Sequence, residues 1–230
     1  MPKVYCKTLL EIACFSLESC IKAQEFGADR IEFCSQYAQG GITPDYEDII
    51  RAKKSLHIPL HVIIRPRGGN FFYTLEEIEV MKKDILFCKA QGVEGVVFGV
   101  LNEDHTIHET VNKQLVDLSK PMSTTFHRAI DECVNSEDAF KKIIDLGFTR
   151  VLTSGNKSKA IEGLNQLKML QNKFGNEIII IPGGGIRSSN IEEIIFETTC
   201  KEYHSAAIVD ETEQINISEL ISIKTKMTVS

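Results

Sequence analysis

The sequence predicts a (β/α)8 barrel built as a single domain over residues 1–230. Eight short runs of apolar, mostly β-branched residues recur along the chain, and amphipathic helical patterns lie between them. The runs are spaced close to the ~30 residues that a strand–helix–strand unit requires. No G-x-G-x-x-G motif follows the first run, so the closed barrel is preferred to the alternative, a doubly wound open sheet.

The eight runs are the predicted strands. Because they alternate with helices, the sheet should be parallel, and eight units are the number that closes a TIM barrel. The predicted strands are Leu9–Cys14, Arg30–Cys34, Leu60–Arg65, Val96–Leu101, Met122–His127, Arg150–Thr153, Ile178–Ile181 and Tyr203–Ala206.

Several of the intervening helices carry recognisable end signals. A hydroxyl residue followed three positions later by glutamate predicts a capping box, and a glycine predicts a helix end. The signals are Thr74 with Glu77, Ser189 with Glu192, and Asn135 or Ser136 at the start of a helix that ends at Gly147.

Composition excludes several classes of protein. The net charge of −6 leaves no basic stripe for binding nucleic acid. The longest apolar runs, Gly95–Leu101 and Ile178–Pro182, are far too short to span a membrane. The N-terminal residues MPKVYCK lack the apolar core of a signal peptide. Seven scattered cysteines fit reduced thiols without disulfides, so we expect a cytoplasmic protein.

Polar residues are unusual inside strand segments, and five of them stand out here. They are Glu11, Glu32, Arg65, His127 and His204. An unpaired buried charge costs about 3–5 kcal/mol, so these groups should neutralise one another in one cluster. TIM barrels work at the carboxyl ends of their strands, and the cluster therefore predicts a binding or catalytic pocket there. A structural ion network inside the barrel is the alternative.

A glycine-rich loop indicates where a small anion would bind. Backbone amides in the loops after late barrel strands often hold phosphate, and glycine lets the backbone approach a ligand closely. Guanidinium groups add forked, permanently charged donors. A tight turn without a ligand is the alternative reading of the glycines. The residues predicted to bind the anion are Arg65, Arg67, Arg128, Ser154, Gly183, Gly184, Gly185 and His204.

Several stretches of the sequence closely resemble the copper homeostasis protein CutC family. They are EIACFSLESCIKAQEFGADRIEFCS, GGITP, IIRPRGGNFFYT, TTFHRAID and RVLTSG, followed by IPGGGI, and they occur in the order of the family. The resemblance implies a TIM barrel, a cytosolic location, a homo-oligomer and a role in copper binding or trafficking. It also implies that Cys14 and Cys34 are the copper ligands.

The chemistry of copper(I) agrees with that implication. Cu(I) is a soft ion that takes thiolates, often only two or three. Cys14 and Cys34 end the first two strands, and neighbouring strands lie about 4.8 Å apart, so their thiols could meet. Side chains alternate between the two faces of a strand. If Glu11 and Glu32 point inward, Cys34 points to the same side as Glu32. Cys14 is three residues from Glu11 and reaches that side only if its strand has ended or bulged. Simple packing of buried thiols is the alternative.

The sequence therefore leaves two functions open. The first is a protein of copper homeostasis that binds Cu(I) through Cys14 and Cys34. The second is an enzyme acting on a small anionic metabolite, with Glu11 and Glu32 as acid and base and His127 as a proton shuttle. In an enzyme of that kind, the environments of the two carboxyl groups should push their pKa values apart. A scaffold without a site would leave the polar strand ends unexplained.

Overall fold

Eight strands form one parallel sheet in a computed structural model that describes residues 8–210 and 213–229. The strands are β1 (Leu9–Cys14), β2 (Arg30–Phe33), β3 (Leu60–Ile63), β4 (Gly95–Phe98), β5 (Ser123–Phe126), β6 (Arg150–Thr153), β7 (Ile179–Pro182) and β8 (Glu202–Ser205). Hydrogen bonds join them in the order β7, β6, β5, β4, β3, β2, β1, β8. The two edge strands, β7 and β8, also lie in contact, which shows that the sheet closes into a barrel. The predicted TIM barrel is confirmed.

Eight α-helices pack around the outside of the sheet. They are α1 (Leu17–Glu25), α2 (Tyr46–Ser55), α3 (Leu75–Ala90), α4 (Glu109–Ser119), α5 (Ser136–Leu146), α6 (Leu164–Phe174), α7 (Ile191–Thr198) and α8 (Ile217–Val229). Short 3-10 helices follow β2, β5 and β6, at Tyr37–Gln39, Arg128–Glu132 and Ala160–Gly163. No described helix is long and apolar enough to cross a membrane.

Alternation along each strand separates two environments. In β1, Leu10 and Ile12 belong to the apolar core between the sheet and the helices. Glu11, between them, instead contacts side chains of other strands inside the barrel. Each aliphatic side chain fully buried in the outer core contributes about 1.5–3 kcal/mol. The outer core thus stabilises the barrel, and the interior is left for polar residues.

The predicted strand boundaries needed small corrections. β1 and β6 have the predicted bounds, but several other strands end earlier than their apolar runs. As a result Cys34, Arg65 and His127 lie just beyond β2, β3 and β5, in the loops at the carboxyl face. The runs continue past the strands because residues there remain buried after the hydrogen-bonded ladder has ended.

The helix-end signals had mixed outcomes. Thr74 and Glu77 form the predicted capping box of α3. Asn135 caps α5, which ends at Gly147 in the left-handed region with φ of 90°. The capping box predicted at Ser189 is wrong, because α7 begins at Ile191 after Asn190. Asn190 is held in the preceding loop, where its side chain accepts from Arg187 N and donates to Gly185 O.

The cysteines agree with the expectation of reduced thiols. The six in the described part of the chain are all buried and free: Cys14, Cys20, Cys34, Cys88, Cys133 and Cys200. Cys6 lies outside the described residues. The absence of disulfides therefore holds for the described cysteines.

We expect Thr74→Ala to lower the free energy of unfolding by about 1 kcal/mol, because it removes the side-chain acceptor of the α3 capping box. Urea unfolding at pH 7 measures the change. Thr225→Ala is the matched control, since Thr225 is an exposed threonine within α8 that caps nothing. Equal unfolding midpoints for Thr74→Ala and the native chain would contradict the role of the box.

Candidate functional site

Arg30 of β2 is buried inside the barrel between two carboxylates. Its Nε donates to Glu11 Oε2 at 2.5 Å, and its Nη2 donates to Glu202 Oε2 at 2.6 Å. Arg150 of β6 also donates to Glu202, at 3.1 Å, and its Nη1 reaches Ser123. Parallel register places Glu11 beside Arg30, so the pairing follows directly from the sheet. This network satisfies the charges in the lower part of the barrel.

Glu11 connects that network to the carboxyl face. Its second oxygen, Oε1, lies 2.7 Å from His204 Nδ1, and His204 is its register neighbour on β8. The other ring nitrogen of His204, Nε2, lies 3.6 Å from Glu32 Oε2. His61 of β3 lies beside Glu11, with Nδ1 3.7 Å from Oε2. One imidazole therefore bridges the two carboxyl groups.

The two carboxyl groups differ in pKa as acid–base chemistry requires. Burial alone would raise the pKa of Glu11, but Arg30 and His204 outweigh it and hold the pKa well below its usual value. Burial raises the pKa of Glu32, and the charge of Glu11 adds to the rise against the opposing effect of His204. Glu11 is thus the stable anion, while Glu32 is the group that can exchange a proton.

The same pair raises the pKa of His204 and so favours its charged form. Burial would lower its pKa, but the charge of Glu32 and the hydrogen bond and charge of Glu11 raise it above the ordinary value. His61 behaves in the opposite way, because burial and the nearby Arg30 lower its pKa to about 3. His61 is therefore a neutral neighbour of the network.

A pocket with a volume of about 280 Å³ lies above this pair at the carboxyl ends of the strands. Of the residues predicted from the sequence, eight line it: Glu32, Cys34, Arg65, His127, Arg128, Gly184, Gly185 and His204. Five predicted residues are not among its lining: Glu11, Cys14, Arg67, Ser154 and Gly183. Glu11 still acts on the pocket through His204.

The predicted arginines are mostly engaged by the protein itself. Arg65 donates to the backbone carbonyls of Gln39, Gly41 and Gly69, and so fixes the loops after β2 and β3. Arg67 pairs with Glu77 at 2.6 Å, away from the pocket. Arg65 thus contributes its charge to the pocket wall, while Arg67 contributes to the start of α3.

Two residues that shape the candidate site were missed by the sequence-based prediction. Asp131 accepts hydrogen bonds from Arg128 Nε, Thr153 Oγ1 and Ser154 N, and so joins the loops after β5 and β6. Arg187 lines the pocket and donates to the carbonyls of Ile186 and Ile208. Both occur at or beside quoted motifs, in TTFHRAID and directly after IPGGGI, and that position was the available signal.

The glycine-rich loop after β7 forms one wall of the pocket. Gly184 and Gly185 have φ of 95° and 70°, in the left-handed region that favours glycine. A Cβ on Gly183 would lie 2.5 Å from Leu152 Cδ1, so a larger residue there would force the Leu152 side chain to move. The left-handed turn at Gly184 and Gly185 thus serves the fold, and it also places the backbone of these two glycines in the pocket wall.

The two strand-end cysteines face different environments. Cys34 lines the pocket, and its Sγ lies 3.6 Å from Glu32 Oε2. Cys14 belongs to the apolar core between the sheet and the helices, as side-chain alternation required. Cys34 N donates to Cys14 O at 2.8 Å, so the two residues are still direct neighbours across the strands. Burial raises the pKa of both thiols well above the usual value, and Cys20 raises that of Cys14 further.

Among the described residues, one group has the geometry to hold a metal ion. Glu11, Glu32 and His204 each offer a ligand atom, and these atoms lie within 4.8 Å of one another. Carboxylate and imidazole donors suit harder ions than Cu(I). Arg30 already neutralises Glu11, which opposes a cation at that oxygen pair. The group is better explained as a proton-holding pair with its counter-ion.

Cationic side chains outnumber carboxylates among the residues that line the pocket, although the chain as a whole is acidic. Arg65, Arg128 and Arg187 bring three guanidinium groups to its wall, and His204 adds an imidazolium. Glu32 is the carboxyl group among the residues that line it. Fold and site together define a TIM barrel with a pocket at the carboxyl ends of its strands, and arginine side chains line that pocket.

Comparison with known proteins places the chain in a family. The CutC family model matches residues 8–209. The chain is 43% identical over 199 residues to the human copper homeostasis protein cutC homolog, covering 86% of this chain and 73% of that protein. It is 43% identical over 202 residues to a family protein CutC of Parabacteroides distasonis, covering 87% and 83%. The chain belongs to the CutC family.

Solved structures agree with this assignment. The CutC protein of Streptococcus agalactiae superposes with a TM-score of 0.83 at 32% identity, covering 86% of this chain and 98% of that one. Phosphoribosylanthranilate isomerase of Thermotoga maritima superposes with a TM-score of 0.66 at 13% identity, covering 97% and 100%. The second likeness shows the shared barrel fold alone.

We expect the stabilising effect of His204 to fall as pH rises. The folded pKa of His204 lies above the ordinary 6.5, so its contribution is fully present below pH 6.5 and is lost as pH rises through the folded pKa. The free energy of unfolding of His204→Gln should be lower than that of the native chain by roughly 3–5 kcal/mol near pH 6. The difference should shrink by pH 9.

Urea unfolding across that pH range measures the difference. His57→Gln is the matched control, because His57 is exposed, and its effect should stay near zero throughout. A His204→Gln deficit that grows with pH would show that His204 is buried as the neutral form.

Proposed function

We propose that this member of the CutC family acts in copper homeostasis by binding Cu(I) through Cys34 and Cys14. The observation that carries the proposal is the Cys34 thiol, which lines the pocket next to Glu32. The names of its relatives associate the family with copper homeostasis. Thiolates are the ligands that Cu(I) prefers, and two are sufficient.

Loading of the proposed site exchanges protons for metal. Both thiols are protonated when free, because burial raises the pKa of each well above the usual value. A thiol must lose its proton to ligate, so binding of Cu(I) releases protons into the pocket. Glu32, within 3.6 Å of Cys34 Sγ, is placed to accept one of them.

The proposal includes a cytosolic location and a homo-oligomeric state. Free thiols persist in a reducing compartment, and the six described cysteines are unpaired. A chain that passes Cu(I) between proteins needs that redox environment to keep its ligands in the thiol form.

We expect the reduced protein to bind about one Cu(I) per chain in competition with a chromophoric Cu(I) chelator. Cys34→Ser and Cys14→Ser should each weaken binding at least about tenfold, because one of two thiolates is lost. Cys88→Ser is the matched control, since Cys88 is equally buried but lies on α3. Retention of full affinity by the Cys14→Ser/Cys34→Ser double variant would remove the proposal.

The positive charge of the pocket favours a second candidate function, an enzyme acting on a small anionic metabolite. Three guanidinium groups and an imidazolium face one carboxyl group in a chain whose net charge is −6. Cu(I) alone would not require that charge. Arg128, Arg187 and the backbone of Gly184 and Gly185 would hold the anion.

The proton chemistry of this candidate depends on Glu32 and His204. Glu32 has the raised pKa of a group that gives or takes a proton, while His204 faces it with Nε2 at 3.6 Å. Glu11 stays ionised and fixes the orientation of the ring by binding Nδ1. In this arrangement Glu32 is the acid–base group and Glu11 the positioning residue.

We expect thermal-shift screening of small carboxylates and phosphates to find a stabilising ligand. At one hundred times its Kd such a ligand stabilises the native state by about 2.7 kcal/mol. Arg187→Gln should weaken binding by about 1.5–3 kcal/mol, the range for hydrogen bonds to charged groups. Arg51→Gln, at an exposed arginine of α2, is the control. A ligand whose affinity is unchanged in Arg187→Gln would place the anion elsewhere.

A further inference from the structure

His127 is buried at the wall of the pocket in a fixed orientation. It follows β5 and is 5% exposed. The Phe71 ring lies 4.7 Å from its ring, and Phe71 itself packs under the guanidinium of Arg65. A Cβ on Gly99 would lie 2.9 Å from Nδ1, so the backbone of that glycine closes the other edge. The ring is thus packed between Phe71 and the backbone of Gly99.

The hydrogen bonding of this ring determines which nitrogen carries the proton. Nδ1 accepts a hydrogen bond from the backbone N–H of Ala129 at 3.3 Å. An amide can only donate, so Nδ1 presents its lone pair and the proton of the neutral ring is on Nε2. Among the described residues, Nε2 has no hydrogen-bond partner although it is buried. Leaving a buried donor without an acceptor is unfavourable, and an oxygen of a bound ligand can supply that acceptor.

We propose that His127 is a ligand-binding residue whose Nε2–H donates a hydrogen bond to a carbonyl or carboxylate oxygen of a small anion in the pocket. The inference rests on the second candidate function and deepens it by naming the chemistry of the ligand. The ligand carries an acceptor oxygen beside a negative charge, since guanidinium groups line the same pocket. Small 2-oxo acids have both features, and the pocket volume of about 280 Å³ is of a size for such molecules.

This role replaces the proton shuttle that the sequence had suggested for His127. A shuttle must gain and lose a proton near neutral pH. Burial and the charge of Arg65 lower the pKa of His127 to about 3, so the ring stays neutral. A neutral imidazole can polarise a carbonyl oxygen by donating to it, while Glu32 and His204 hold the mobile proton.

Nuclear magnetic resonance of protein labelled with ¹⁵N histidine tests the assignment, with pyruvate as the probe. In the free protein the His127 ring should show the neutral Nε2–H form and should not titrate between about pH 5 and 9. Pyruvate should shift the Nε2 and Hε2 signals of His127 and leave those of the exposed His57 unchanged. A free ring with its proton on Nδ1 would overturn the inference.

Two variants give an independent readout. His127→Leu should weaken pyruvate binding about tenfold because it removes the donor. His127→Gln should bind more tightly than His127→Leu, since its side chain also offers an N–H group. Thermal melting of each variant confirms folding before binding is measured.

The outcomes separate this inference from the function on which it rests. Pyruvate binding that is weakened by Arg187→Gln, but unchanged by His127→Leu and silent at His127 Nε2, would overturn the inference and leave the anion pocket in place. If neither pyruvate nor inorganic phosphate binds, the anion pocket and the inference are both wrong.

Discussion

The buried guanidinium of Arg30 is the interaction on which the rest of the site depends. It lies inside the barrel between Glu11 and Glu202, and both carboxylates are largely removed from water. A buried carboxylate without a partner would take up a proton, because desolvation opposes its charge. Arg30 lowers the pKa of Glu11, and the charges of Glu32 and Glu11 together raise the pKa of His204, which lies between them. The charges of the pocket residues therefore depend on Arg30, which lies inside the barrel and does not itself line the pocket.

Side-chain alternation in the strands separates stability from chemistry. Along β1 and β2, every second side chain joins the apolar core beneath the helices, and the others enter the barrel. The separation also divides the two cysteines that the family resemblance implied as a pair, since Cys14 lies on the core side and Cys34 on the pocket side. They remain neighbours through a backbone hydrogen bond. Both proposed functions meet at Glu32, which contacts Cys34 and faces His204.

The loops at the carboxyl face are held mainly by arginine donating to backbone carbonyls. Arg65 joins the loops after β2 and β3, and Arg187 joins those after β7 and β8. Arg128 is fixed by Asp131 and Ser154. Most N–H groups of these guanidinium groups donate to atoms of the protein itself. The guanidinium groups nevertheless lie at the pocket wall. The pocket wall therefore presents guanidinium groups that the protein itself holds in place, which favours a preorganised anion site.

The sequence by itself determined the fold and the end of the barrel at which the site lies. Periodic apolar runs and capped helices predict eight units because strand and helix patterns are local, and Glu11, Glu32 and His204 were noticeable as polar residues inside strands. Only the tertiary structure decided how these residues are used. Arg30 was predicted only as the first residue of a strand, although register sets it beside Glu11. Arg65 and Arg67 were predicted to bind an anion, but Arg65 binds the carbonyl of Gly41 and Arg67 binds Glu77. Partner choice and pKa depend on burial and on atoms from several strands, and those quantities exist only once the barrel has closed.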